Sequence, residues 1–278
     1  MVVIFALLAV LSVSIGTVLT RNVMDELPRF EPIGPLFFLN GLIALSISLG
    51  TDNFKIPTSK EFLLLVLAAF FTTVGAFMVF FIIEKSTPAT SLVGQALSPI
   101  FVLFLNLIFF GLQFSPIIGV VALAMSAGCI SVISNTLGIR ARNTFFLIFC
   151  QGAVAALVAI LLSKLTGYSL PIYEVIALQQ LLSGALGVIV RFPKHLKRSL
   201  LPIFTFRSLF MSLGWIFTAF SLRTHHVFQS QVLISLTPIV TVAIQTRRNR
   251  PKSSSDKLWF ASLLVVASVS YLEIAAHH

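Results

Sequence analysis

Residues 75–100 and 214–239 of this 278-residue chain align without a gap at a constant offset of 139. The first stretch reads GAFMVFFIIEKSTPATSLVGQALSPI and the second GWIFTAFSLRTHHVFQSQVLISLTPI. Gly75 meets Gly214, Phe81 meets Phe220, Ser91 meets Ser230 and Val93 meets Val232, while Leu97, Pro99 and Ile100 meet Leu236, Pro238 and Ile239. Pro32 meets Pro171 at the same offset. Chance pairing of two apolar strings explains some of the aliphatic matches, but it does not readily bring Gly, Ser and two Pro into register. The chain reads as two copies of one unit, residues 1–139 and 140–278, which together form one transmembrane domain.

The solvent of that unit follows from composition. Hydrophobic residues make up 57% of the chain, charged residues 10%, and the mean hydropathy is +1.01. So much apolar surface exceeds what a soluble interior holds, and the excess must face lipid. The apolar segments continue to the C-terminus, so residues 2–20 read as a retained first span rather than a cleaved leader. The net charge of +10 sits in short loops, with no basic face interleaved with stacking aromatics, which argues against a nucleic-acid partner. Cys129 and Cys150 both fall inside apolar runs and read as small buried hydrophobes.

A helix needs about 20 largely apolar residues to cross the hydrocarbon core. Cutting at polar and turn-rich breaks gives ten candidates: 2–20, 33–50, 61–83, 88–110, 115–134, 144–163, 172–190, 200–221, 226–246 and 257–275. The expected fold class is all-α and integral to the membrane, because runs of this length without strict alternation exclude a barrel. Five spans per copy is an odd number, so the second copy enters the membrane in the opposite sense. Ten helices arranged as two inverted five-helix repeats follow, with a substrate site expected near the midplane between them. Fourteen Lys and Arg fall in odd-numbered loops, against Lys55, Lys60, Lys164 and Arg223 in even-numbered ones. That bias puts the odd loops in the cytoplasm and both termini outside. Arg207 alone lies inside a span, the eighth.

All nine carboxylates lie in loops or within a few residues of a span end. A proton-coupled mechanism built on a central acid therefore finds no support, and Glu84 and Glu174, the nearest candidates, read as solvated at the interface. Neutral polar residues do lie deep. Gln95, Pro99 and Asn106 share one helical face in span 4, as do Gln231, Ser235, Pro238 and Gln245 in span 9. Asn40 and Gln179 are again 139 apart, and Gln151 sits within span 6. Such residues serve either as interhelical hydrogen-bonding glue or as the lining of a cavity. Pro99 and Pro238 each remove a backbone donor in mid-span, so each predicts a kink, static or hinge-like. Spans 3 and 8 set small residues beside aromatics, Thr72, Gly75 and Phe77 in one and Ser212, Gly214 and Trp215 in the other. Trp215 either packs in the core or stacks on a ligand. No Walker loop, aspartate-rich diphosphate motif or His/Glu metal spacing is present, and no catalytic residue, metal or cofactor is expected.

The run from Gly75 to Val132, with its mid-helix proline in EKSTPATSLVGQALSPI and its glycine-bearing IIGVVALAMSAGCISV, resembles the EamA-like branch of the drug/metabolite transporter superfamily. The resemblance implies a transporter of small metabolites working by alternating access, with a cavity walled by spans 3, 4, 8 and 9. Position by position, it implies that Phe77, Gln95, Pro99, Trp215, Gln231 and Pro238 are cavity or hinge residues. Three features depart from it. Leu112 and Gln113 stand where the family often carries an acid, and Asn40 stands where it often carries Arg. The family also places both termini in the cytoplasm, against the loop charges.

The expectation is therefore a secondary transporter, exporting a small neutral, zwitterionic or aromatic metabolite, in the cell (inner) membrane as a monomer or homodimer. Its substrate-binding residues would be Asn40, Phe77, Gln95, Gln151, Gln179, Trp215 and Gln231, with hinges at Pro99 and Pro238. The rival reading is a membrane scaffold, or an enzyme acting on a lipid-borne substrate. A polar-lined cavity would separate it from the first.

Overall fold

The computed structural model describes residues 2–51, 54–110, 142–167, 170–223 and 227–248. The regular elements among those residues are all helices, in the order α1 (Val2–Met24), α2 (Ile33–Leu49), α3 (Ser59–Lys85), α4 (Pro88–Ser91), α5 (Val93–Phe110), α6 (Arg142–Gly167), α7 (Ile172–Val190), α8 (Leu201–Leu222), α9 (Val227–Ile234) and α10 (Thr237–Arg248). A 3₁₀ turn, Arg198–Leu200, leads into α8. Among the described residues, seven stretches are long and apolar enough to cross a bilayer, with α4–α5 and α9–α10 each counting as one. The 17-residue α2 is a shorter apolar helix, about 26 Å long at 1.5 Å per residue. The expected spans 115–134 and 257–275 lie outside the described residues.

Local chemistry sets the helix ends. Thr58 and Glu61 form a capping box that starts α3, the Thr58 backbone N–H donating to Glu61 Oε2 at 2.8 Å. Thr87 caps α4 through Thr90 N–H, and Pro88 occupies the first turn, where its missing donor is not needed. Pro32 and Pro171, the pair 139 apart, stand at the N-cap positions of α2 and α7.

The helices are turned inside out relative to a soluble bundle. Exposed positions run as apolar stripes at helical spacing, such as Ile4, Leu7 and Leu11 on α1 or Leu63, Val66 and Phe70 on α3. Buried positions are often polar, among them Ser14, Thr17, Asn40, Gln179, Ser183 and Ser212. Lipid is as apolar as leucine, so helix association there depends on close packing and interhelical hydrogen bonds. Both are present. α2 packs chiefly on α7, α1 on α8, α5 on α6 and α3 on α6. Glycine permits the tightest of these approaches, at the α2–α7 crossing. A Cβ on Gly184 would lie 2.9 Å from both Cγ and N of Phe38, and one on Gly34 would lie 2.6 Å from a Val188 methyl. The repeat glycines behave alike, since Gly75 faces Val154 on α6 and Gly214 faces Val13 on α1.

The connections fall at two ends. Glu31, its side chain 1% exposed, accepts from the His195 backbone N–H at 3.0 Å, pairs with the His195 ring and lies 3.6 Å from Arg191. Arg29 pairs with Glu84. Those contacts join the α1–α2 and α7–α8 connections to the end of α3. At the other end, the Lys55 N–H donates to Glu174 Oε2 at 2.9 Å. Glu174 is fully buried, and this corrects the expectation of a solvated interfacial acid: the α2–α3 connection folds over it.

Candidate functional site

The expected spans 4 and 9 are each interrupted, near the prolines at which a kink is expected. Span 4 breaks at Leu92, between α4 and α5, and the helix then runs on through Pro99. Span 9 breaks at Ser235–Leu236, and Pro238 enters the first turn of α10. A proline leaves the carbonyl four residues earlier without its helical donor. The preceding hydroxyl supplies one at both prolines: Ser98 donates to Gln95 O at 2.8 Å, and Thr237 to Ile234 O. Ser98 and Thr237 are themselves 139 apart.

Beside these breaks lies a cavity of about 160 Å³, walled by α1, α3, α6 and α8 and reached by α2, α5 and α9. Most of its surface is apolar, from residues such as Val79, Val154, Val158 and Met211. Three residues of its wall each carry a buried polar atom with no hydrogen-bond partner among the described residues: Gln95 Oε1, Gln151 Oε1 and Trp215 Nε1. Leaving such an atom unsatisfied costs about 1–3 kcal/mol. Gln151 is held by its other end, Nε2 donating to Ser91 O at 2.6 Å. Gly94 makes room for it, because a Cβ there would sit 2.7 Å from Oε1. Gln231 Oε1 accepts from Ser98 Oγ at 2.7 Å.

A chain of side-chain hydrogen bonds backs the opposite wall. Arg207 Nη1 donates to Asn40 Oδ1 at 3.5 Å, Asn40 to Gln180 at 3.1 Å, Gln180 to Gln179 at 3.3 Å, and Gln179 to Thr72 Oγ1 at 2.6 Å. Every donor points the same way, so each amide is oriented by its neighbour. The two ends of the chain, Arg207 and Thr72, line the cavity, and the middle is fully buried behind it.

Of the residues singled out by sequence, Gln95, Gln151, Trp215 and Gln231 line the cavity. Asn40 and Gln179 stand behind it, within the hydrogen-bonded chain. Phe77 is elsewhere: its ring lies 5.1 Å from that of Phe30, in the apolar cluster near the α1–α2 connection. The side chain of Asn106 lies outside the described residues. Two further residues belong to the site, Arg207, which its sequence position marks only as a charge inside a span, and Gln180, a neutral amide beside Gln179. A lone charge within an apolar span was the available signal. Among the described residues, no three His, Cys, Asp or Glu converge as metal ligands.

Comparison with known proteins places this geometry. A solved crystal structure superposes with a TM-score of 0.76 at 17% identity, covering 99% of this chain and 97% of its own. At that identity the likeness concerns the fold. No curated protein sequence matches. The model of the EamA-like transporter family matches residues 1–134, just under half of the chain, and that N-terminal stretch is similar to the EamA-like transporters.

Proposed function

We propose that the protein is a secondary transporter that carries a small metabolite outward by alternating access, with two five-helix halves related as inverted repeats. Helix packing supports the repeat. Exchanging each span for its equivalent 139 residues away turns the α1–α8 contact into the α6–α3 contact, and the α2–α8 contact into the α7–α3 contact. It likewise exchanges α5–α6 with the packing of α9 and α10 on α1, and returns α2–α7 to itself. The odd-numbered connections around Glu31 and Glu84 share one end, as alternating spans require.

One observation carries the transport reading. Gln95, Gln151 and Trp215 line one cavity at the seam between the halves, and their Oε1, Oε1 and Nε1 atoms are buried without partners among the described residues. A scaffold gains nothing from unsatisfied groups in its interior, whereas a carrier needs groups that a passing solute satisfies. An engineered apolar cavity of about 150 Å³ admits benzene, so the space suits a solute of that order. The protein is read as working without a cofactor, as a monomer or homodimer in the cell (inner) membrane. The test is flux in proteoliposomes containing the purified chain. Gln95→Leu and Gln231→Leu are expected to lower transport about tenfold, the equivalent of one lost hydrogen bond, while remaining folded. Wild-type flux from both folded variants would overturn the reading, and efflux from loaded vesicles of known orientation tests the direction.

A further inference from the structure

We propose that Arg207 is the binding point for the anionic group of the substrate, and that the substrate class is a small monocarboxylate with an apolar body. The inference rests on the cavity being the transport site and adds the charge of its occupant.

Arg207 lies in the second turn of α8 and is 5% exposed. A guanidinium inside the membrane is expensive unless it is paired or works on something. The ion pairs among the described residues all lie at the connections, at Asp25, Glu84 and Glu31, and no carboxylate among those residues reaches Arg207. Its two contacts are neutral: Nε donates to Thr20 Oγ1 at 3.1 Å and Nη1 to Asn40 Oδ1 at 3.5 Å. Those acceptors fix the plane of the fork without cancelling its charge. Thr20 is held in turn by Gly16 O at 2.9 Å, and Asn40 by Gln180 at 3.1 Å. A guanidinium has five N–H donors, and among the described residues Nη2 makes no hydrogen bond. The group is oriented, charged, unpaired and on the cavity wall, which are the requirements for two-pronged recognition of a carboxylate. One cation balances one negative charge, so a monoanion fits better than a phosphate dianion.

The rest of the face gives the body. Arg207, Met211 and Trp215 follow at intervals of four and all line the cavity, placing the indole about 12 Å along the helix from the guanidinium at 1.5 Å per residue. Thioether and indole offer soft apolar contact to an aliphatic or aromatic group.

The experiment uses the purified full-length chain in nanodiscs. Probes are 3-phenylpropionate and 4-methylpentanoate, each beside its uncharged amide, with inorganic phosphate as a further arm. Binding is read by calorimetry and flux in proteoliposomes. The expected result is at least tenfold tighter binding of a carboxylate than of its amide. Arg207→Gln should abolish that preference, and Arg207→Lys should keep part of it. Equal binding of acid and amide by the wild type, absence of binding by either acid, preference for phosphate, or an undiminished preference in folded Arg207→Gln would each overturn the proposal. Should Arg207→Gln fail to fold, the wild-type comparison of acid with amide decides alone. Failure of the transport reading looks different: the acids bind with the stated preference but no probe, acid or amide, crosses the bilayer.

Discussion

Ser98 Oγ lies 2.7 Å from Gln231 Oε1 and 2.8 Å from the carbonyl of Gln95, and its one proton serves only one of them at a time. The first contact joins span 4 to span 9, and the second repairs the carbonyl that Pro99 leaves without a donor. A contact between spans 4 and 9 therefore competes with one inside a single helix.

Ser98→Ala removes both contacts and leaves Gln231 Oε1 buried without a donor. The expected loss of stability is about 1–3 kcal/mol, measured by thermal unfolding in detergent. In a double-mutant cycle with Gln231→Leu the two changes should be non-additive by about 0.5–3 kcal/mol. Additivity would mean that the contact between the two spans carries no energy.

Pro238 and Pro99 should differ as hinges, though they are equivalent by sequence. Pro238 adjoins a broken turn, whereas Pro99 lies within a helix that runs on past it. Pro238→Ala restores a backbone donor at the break and is expected to slow turnover several-fold, with Pro99→Ala acting more weakly. Unchanged turnover in Pro238→Ala would remove its hinge role.

Gly184 sets the distance between α2 and α7. A Cβ there would meet the Phe38 backbone N at 2.9 Å, and backbone yields less readily than a side-chain end. Gly184→Ala is expected to destabilise by about 1–3 kcal/mol through overpacking. A melting temperature equal to that of the wild type would contradict the closeness of this crossing.

Glu31 supplies a pH dependence of stability. Burial pushes its pKa up, but the His195 hydrogen bonds and the charges of His195 and Arg191 outweigh that and hold it below the ordinary 4.5. A carboxyl whose pKa is lower folded than unfolded binds more protons unfolded, so it stabilises above the unfolded value. That contribution is lost as pH falls through the folded value. Melting temperature should drop below about pH 4.5, and Glu31→Gln should flatten that part of the profile. A variant as acid-sensitive as the wild type would show the loss to arise elsewhere.

Much of this architecture is legible in the order of residues. Lipid as solvent forces each span to satisfy its own backbone, so long apolar runs announce helices, and the eight expected spans within the described residues are helical near their expected bounds. The offset of 139 picks out Pro32 and Pro171 as helix starts, and Ser98 and Thr237 as hydroxyls beside prolines, because those roles depend on neighbours along the chain. Gln95, Gln151, Trp215 and Gln231 could be marked as deep and polar for the same reason.

What residue order leaves open is which deep polar groups find partners. Asn40 and Gln179 look no different in sequence from Gln95, yet they are satisfied by Gln180 and Thr72, brought to them by other helices. Phe77 shares α3 with Thr72, but it turns to Phe30. Arg207 is a lone cation in the string and becomes meaningful only where Thr20 and Asn40 hold it at a cavity without an acid among the described residues. Spacing along one helix determines which face a residue occupies. Only the packing of the helices around one another decides whether that face meets a neighbour or an open space.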